Sequence, residues 1–238
     1  MKKVKHTGTQ AELKIVNKST PFAIREAFKA LYTNILYLNI EDKCKKIAIT
    51  SAVPGEAKTT ISLNLAITLA QTLEDKKVLL IDADLRQPKI AKLLSIDPKS
   101  KGLSEYLAGI DESPNIINTP EYKLSVLVSG ASGANPTKLI GSTKMAELLK
   151  KCEEEYDYVI IDTPPVNVVS DAVLLSNVIN GYVISTKADH SNVNNVNECL
   201  ETLERVGAEV FGVVLSSVKL KTSGKRYGKY SKYNLYAN

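Results

Sequence analysis

Six short, mostly apolar runs are spaced along the chain with helical patterns between them. The runs are Lys46–Ser51 (KIAITS), Lys77–Asp82 (KVLLID), Leu124–Ser129 (LSVLVS), Tyr158–Asp162 (YVIID), Tyr182–Thr186 (YVIST) and Val210–Ser216 (VFGVVLS). They are rich in β-branched residues and lack a polar face, as strands covered on both sides do. Helical patterns lie at about 58–74, 88–95, 102–108, 136–155, 170–178 and 191–206. Strands alternating with helices of this length predict an α/β fold, a mostly parallel central sheet flanked by helices. A further helix is predicted upstream. Ser19-Thr20-Pro21 offers a capping hydroxyl and a proline at the first helical position, and Ile24, Phe28, Leu31, Ile35 and Leu38 then repeat at spacings of 4, 3, 4 and 3.

The 238 residues suit one α/β domain, expected over 19–218, between an arm at 1–18 and a tail at 219–238. Net charge is +5, but the tail alone carries +6, leaving −1 for the rest. The domain therefore lacks the basic footprint of a nucleic-acid binder. Cys44, Cys152 and Cys199 have no metal-ligand spacing and read as reduced, partly buried thiols of a cytoplasmic protein. The N-terminus has no apolar segment typical of a signal peptide, and no run of apolar residues is long enough to span a bilayer.

Between the first strand and the next helix stands Ala52-Val53-Pro54-Gly55-Glu56-Ala57-Lys58-Thr59-Thr60. This is the phosphate-loop pattern in its required strand–loop–helix setting, with Ala57 where glycine is usual. In such a loop consecutive backbone N–H groups curl around a phosphate and the helix N-terminus adds its positive end. Residues 54–60 are the expected ATP contacts. Lys58 supplies a point charge and Thr59 a hard oxygen for Mg2+. Ala57 keeps its backbone donor. If the position requires φ > 0, its methyl group crowds the loop and weakens binding.

Two strand ends carry carboxylates. Val78-Leu79-Leu80-Ile81-Asp82-Ala83-Asp84-Leu85-Arg86 ends one strand, and Val159-Ile160-Ile161-Asp162-Thr163-Pro164-Pro165 ends another. The carboxyl edge of an open α/β sheet is where ligands bind. Asp82, Asp84 and Asp162, together with Thr59, are the expected Mg2+ ligands, directly or through water. Asp82 and Asp84, two apart, point to the same side in an extended strand, so one can orient metal while the other takes a proton. Arg86 either steadies a phosphate or pairs with an acid.

After Val218 the chain reads KLKTSGKRYGKYSKYNLYAN, with Tyr227, Tyr230, Tyr233 and Tyr236 every three residues. Its glycines and lysines argue against a packed element, so the rings need another role. They are either acceptor hydroxyls for phosphate, each worth roughly −1.5 to −2 charges, or a basic aromatic arm that touches membrane or nucleic acid.

These residues resemble the bacterial tyrosine kinases, specifically the cytoplasmic kinases of capsule and exopolysaccharide operons in Gram-positive bacteria. The resemblance runs from about residue 20 to the end and rests on SAVPGEAKTT, LLIDADLRQP, VIIDTPP, the stretch ANPTKLIGSTKMAELL and the tyrosine cluster. It implies a fold like that of partition ATPases and ATP-dependent phosphorylation of the tail tyrosines of a neighbouring copy. By motif match it gives Lys58, Asp82 and Asp84 catalytic roles. It implies a membrane adaptor, a polysaccharide chain-length regulator, that recruits and activates the kinase at the inner face of the plasma membrane, and a counteracting tyrosine phosphatase. It also implies a ring contact on the first helix, where the family often has E-x-x-R-x-x-R. Here Glu26 and Lys29 stand in the first two places and Tyr32 in the third. Two other readings compete: a partition-type ATPase acting as a nucleotide switch, and a weakly active ATP-binding regulator. Partition relatives carry a second lysine at the position of Val53.

Overall fold

The computed structural model describes residues 15–131 and 135–218. Seven strands form one sheet: β1 (Lys45–Ser51), β2 (Val78–Asp82), β3 (Ile117–Thr119), β4 (Leu124–Leu127), β5 (Tyr158–Asp162), β6 (Gly181–Lys187) and β7 (Val210–Ser216). Their spatial order is β3-β4-β2-β5-β1-β6-β7, parallel throughout except for β3 against β4. All six expected strands are present. β3 was not anticipated, since its three residues Ile117, Asn118 and Thr119 are only half-buried or exposed and leave no apolar run to read.

Helices cover both faces. On one side α1 (Phe22–Leu36) and α2 (Lys58–Thr72) pack with the short α3 (Ile90–Leu93) over Ile47, Ile49, Leu80, Ile160 and Val183. On the other, α4 (Leu103–Leu107), α5 (Pro136–Ile140), α6 (Thr143–Glu155) and α7 (Val193–Arg205) cover Ala48, Leu79, Ile81, Ile161 and Ile184. The central strands β2 and β5 are buried at every position, which is why they read as unbroken apolar runs. Helix α2 is buried on most of its surface because α1 lies over it.

Four local expectations are corrected. Helix α1 begins at Phe22, after Pro21, with no side-chain cap; the Thr20 hydroxyl instead accepts the Asn17 N–H at 3.0 Å. The helix expected over 136–155 is two helices. Gly141 and Ser142 break it, and the Ser142 hydroxyl caps α6 by accepting the Met145 N–H at 3.3 Å. The patterns at 88–95 and 170–178 each yield only one short turn, Ile90–Leu93 and Val173–Leu175. At the N-terminal side, Ile15 and Val16 pack on the α1–α2 face, and the Val16 N–H donates to Asn64 Oδ1 of α2 at 2.6 Å.

The parallel register sets the carboxyl ends of β1, β2 and β5 side by side. Asp82 lies opposite Asp162 across the β2–β5 pairing, and Asp162 lies opposite Ile49 of β1. The loop leaving β1 therefore starts beside both carboxylates.

Candidate nucleotide site at the phosphate loop

The loop from Ala52 to Ala57 turns the chain from β1 into α2 through two left-handed residues, Gly55 at φ 86° and Ala57 at φ 64°. Glycine adopts such angles freely, whereas for alanine the Cβ crowds the following carbonyl at a cost of about 1 kcal/mol. Ala57 thus keeps the backbone path a glycine would take. The first intrahelical bond of α2 runs from the Ile61 N–H to the Ala57 carbonyl at 3.0 Å. The N–H groups of Lys58, Thr59 and Thr60 stand ahead of that ladder, at the positive end of a 15-residue helix. That end is a ready anion site.

Lys58 opens the helix, is buried, and places Nζ 2.5 Å from Asp84 Oδ2. Burial alone opposes its charge, but Asp162, Asp84 and Asp82 outweigh that and raise its pKa. The other oxygen of Asp84 accepts the Gln87 N–H at 3.0 Å, which fixes the carboxylate at the start of a turn. Asp82 Oδ2 accepts the N–H groups of Ile90 at 3.1 Å and Lys89 at 3.3 Å. Asp162 Oδ1 lies 3.0 Å from Ser62 Oγ, and its carboxylate also takes the Thr59 hydroxyl.

Two oxygens remain orphaned. Asp82 Oδ1 and Asp162 Oδ2 are buried with no hydrogen-bond partner among the described residues. A buried carboxylate oxygen without a partner is costly. Accordingly burial and the facing Asp162 push the Asp82 carboxyl up to about 8, and burial raises Asp162 as well, against the opposing pull of Lys58, Thr59 and Ser62. The donor set suits Mg2+: hard oxygens on two adjacent strand ends and one helix, two of them unsatisfied. Among the described residues no three His, Cys, Asp or Glu side chains enclose a cation by themselves. Mg2+ seldom needs such a cage, since it keeps waters and takes phosphate oxygens as ligands.

Asp82 and Asp162 thus converge, and Asp84 reaches the same centre through Lys58. Arg86 does not join them. Its guanidinium pairs with buried Asp171 at 2.7 and 3.0 Å and donates to the Thr137 hydroxyl at 2.8 Å. Of the two roles open to it, pairing with an acid is the one observed. Glu56 points its carboxylate into the protein, where it accepts the Val53 N–H at 3.0 Å. It can meet phosphate only through its backbone. Glu26 and Lys29 pair with each other on the exposed face of α1 at 2.8 Å. The four tail tyrosines lie outside the described residues. Ser62 and Asp171 escaped the sequence reading because no local motif marks them, and Thr137, inside the stretch ANPTKLIGSTKMAELL, was given no role there: each is recognised only by its reach across the fold.

Fold and site together define a P-loop nucleotide-binding protein: a left-handed loop at a helix N-terminus, a buried lysine in it, and carboxylates on the neighbouring strand ends. Residues 44–212 match the family described as an AAA domain. The chain is 32% identical to the tyrosine-protein kinase YwqD of Bacillus subtilis, over 98% of this chain and 94% of that one. It is 36% identical to the tyrosine-protein kinase CpsD of Streptococcus agalactiae, over 87% and 89% respectively. The solved kinase domain of the Escherichia coli tyrosine kinase ETK superposes with a TM-score of 0.75 at 32% identity, covering 84% of this chain and 79% of that one. The chain belongs to the bacterial tyrosine kinases. Among the described residues no helix is long and apolar enough to cross a membrane.

Proposed function

We propose that this protein is an ATP-dependent protein-tyrosine kinase that phosphorylates Tyr227, Tyr230, Tyr233 and Tyr236 on a neighbouring copy, and that it serves capsular or exopolysaccharide synthesis and export. The observation that carries this is the placement of Lys58 on a left-handed phosphate loop against Asp82, Asp84 and Asp162.

The loop amides and the α2 N-terminus hold the nucleotide's phosphates in place, and Lys58 shares its charge between them and Asp84. Thr59, Asp82, Asp84 and Asp162 would hold a Mg2+ ion, which would supply neutralisation of the charge on the transferring phosphoryl group. As Lys58 turns toward phosphate, Asp84 gains a free oxygen. Asp82 and Asp84 then divide the remaining work, one orienting the metal and the other accepting the tyrosine hydroxyl proton. Asp162, pinned by Ser62 and Thr59, keeps the loop and the strand ends in register.

The kinase is cytoplasmic and is drawn to the inner face of the plasma membrane by a separate adaptor of the chain-length-regulator type, which also activates it. A tyrosine phosphatase reverses the modification. Self-association, with Glu26 and Lys29 as contacts, brings one copy's tail to another copy's site. No nucleic-acid role is assigned.

The test is to incubate the pure protein with Mg-ATP and the adaptor's cytoplasmic segment and to map phosphate by mass spectrometry. Phosphotyrosine at 227–236 that disappears in Lys58→Met is the expected result. ATP hydrolysis without phosphotyrosine would instead establish a partition-type switch.

A further inference from the structure

Glu56 is the one carboxylate in the phosphate loop, and it is fully buried. Its oxygens join two loops. Oε2 accepts the Val53 N–H at 3.0 Å, within the phosphate loop, and Oε1 accepts the Ser191 hydroxyl from the β6–α7 connection. Ser191 Oγ in turn accepts the Lys187 N–H at 2.7 Å, so the same hydroxyl closes its own loop and anchors the other. Two more contacts cross the gap. The buried Ser185 hydroxyl donates to the Glu56 carbonyl, and His190 Nε2 lies 3.1 Å from the Pro54 carbonyl oxygen. The fit is close: a Cβ at Gly55 would sit 3.3 Å from His190 Nε2.

We infer that the β6–α7 connection, residues 188–192, is a positioning element for the phosphate loop, and that it acts through the Ser191–Glu56 hydrogen bond. A buried carboxylate is tolerated only while its oxygens are bonded. Neither loop can shift alone without orphaning Glu56. The phosphate loop also contains Ala57 in the left-handed region, a conformation that persists only where the surroundings over-determine it. Ser185, His190 and Ser191 supply that constraint from outside the loop. The nucleotide then meets a loop already ordered, and affinity is not spent on ordering it. Ser191 and Glu56 are positioning residues here: the Glu56 carboxylate is taken up by Val53 and Ser191, and the Ser191 hydroxyl by Glu56 and Lys187. The inference rests on the reading of this loop as the nucleotide site.

The test uses the full chain and two measurements. In nucleotide-free protein, Ser191→Ala is expected to speed amide hydrogen exchange at 52–57, although the change lies in the other loop. With the fluorescent probe mant-ATP and Mg2+, Ser191→Ala is expected to bind about tenfold more weakly, with a matching rise in the ATP KM and kcat within about twofold. Ser191→Thr, which keeps the hydroxyl, is expected to restore both. The double variant Ser191→Ala/Glu56→Gln is expected to bind no more weakly than Glu56→Gln alone. Unchanged exchange at 52–57 in Ser191→Ala, additive losses in the double variant, or a lowered Tm with unaltered affinity would each overturn the inference. If the wild type binds no Mg-nucleotide, the nucleotide reading fails, and the exchange measurement still decides whether the two loops are latched.

Discussion

Lys58 Nζ and Asp84 Oδ2 are 2.5 Å apart, so the phosphate-loop lysine is paired with a carboxylate from the segment that leaves β2. The pair is buried, and Asp82 and Asp162 press on the same ammonium. Removing one member of a buried pair leaves the other uncompensated. Lys58→Met strands Asp84 beside the two other acids and is expected to lower folding stability by about 3 kcal/mol, besides abolishing transfer to tyrosine. Asp84→Asn leaves Lys58 with two acids still near and is expected to lose about 1 kcal/mol. Urea denaturation of the two variants checks the ranking. Equal losses would show that Asp84 alone sustains the lysine.

Burial and the facing Asp162 push the Asp82 carboxyl up to about 8 in the fold, against an ordinary value of 3.8. A raised acid binds its proton more tightly when folded than when unfolded. Folding stability therefore falls as pH rises through the window from about 4 to about 8, and levels above it. Asp82→Asn removes that penalty. It is expected to raise the Tm of nucleotide-free protein by about 5 °C at pH 8, corresponding to on the order of 2 kcal/mol, with the gain vanishing near pH 4. The same variant should lose tyrosine phosphorylation. Thermal melts across this pH range are the check, and a gain independent of pH would refute the assignment.

The parts of the fold legible in the sequence are those where a local pattern and its burial agree. Strands β1, β2 and β5 are continuous apolar runs because both faces of the sheet are covered, and the phosphate loop is punctuated by Pro54, Gly55 and Lys58. The concern over Ala57 was also readable: the position does take φ > 0. What stayed hidden depends on partners distant in sequence. Gly141 and Ser142 sit inside a good helical pattern, and only the packing of α5 and α6 reveals the break. Asp171 is 85 residues from Arg86 and carries no motif. Glu56 looked like one more loop residue, because its inward turn depends on Ser191, 135 residues away.

Ala57 at φ 64° gives a prediction of opposite sign to the usual one for glycine. In most contexts a new glycine destabilises by freeing the unfolded chain. Here it relieves a left-handed alanine, a strain of about 1 kcal/mol that exceeds the entropy loss. Ala57→Gly is expected to stabilise the protein by about 0.5 kcal/mol. It should leave Mg-ATP affinity within about twofold of wild type, since the loop already holds its left-handed path and the strain is the same with and without phosphate. Chemical denaturation and nucleotide titration measure the two effects. A destabilised variant would mean that the loop holds Ala57 without strain.

Arg86 and Asp171 tie the loop after β2 to α5 and to the segment that follows β5. The guanidinium makes two bonds to the carboxylate, at 2.7 and 3.0 Å, and Thr137 completes the set by donating to Asp171 Oδ1 at 2.7 Å. Burial would raise the Asp171 carboxyl, but Arg86 and Thr137 overcome it and hold the group below the usual carboxylate range. The stability it contributes is therefore complete at neutral pH and lost as pH falls through that lowered value. Arg86→Ala leaves Asp171 buried beside Thr137 alone. The arginine is partly open to solvent, so the expected loss at pH 7 is about 2 kcal/mol, below the full value for a sealed pair. The loss should shrink at pH 4, where the variant's carboxyl takes up a proton and needs no cation. Arg86→Lys restores the charge but not the planar two-bond fork, and should fall between wild type and alanine. Urea denaturation at the two pH values decides it. A lysine variant equal to wild type at both would show that charge alone, and not the fork, holds this loop against the sheet.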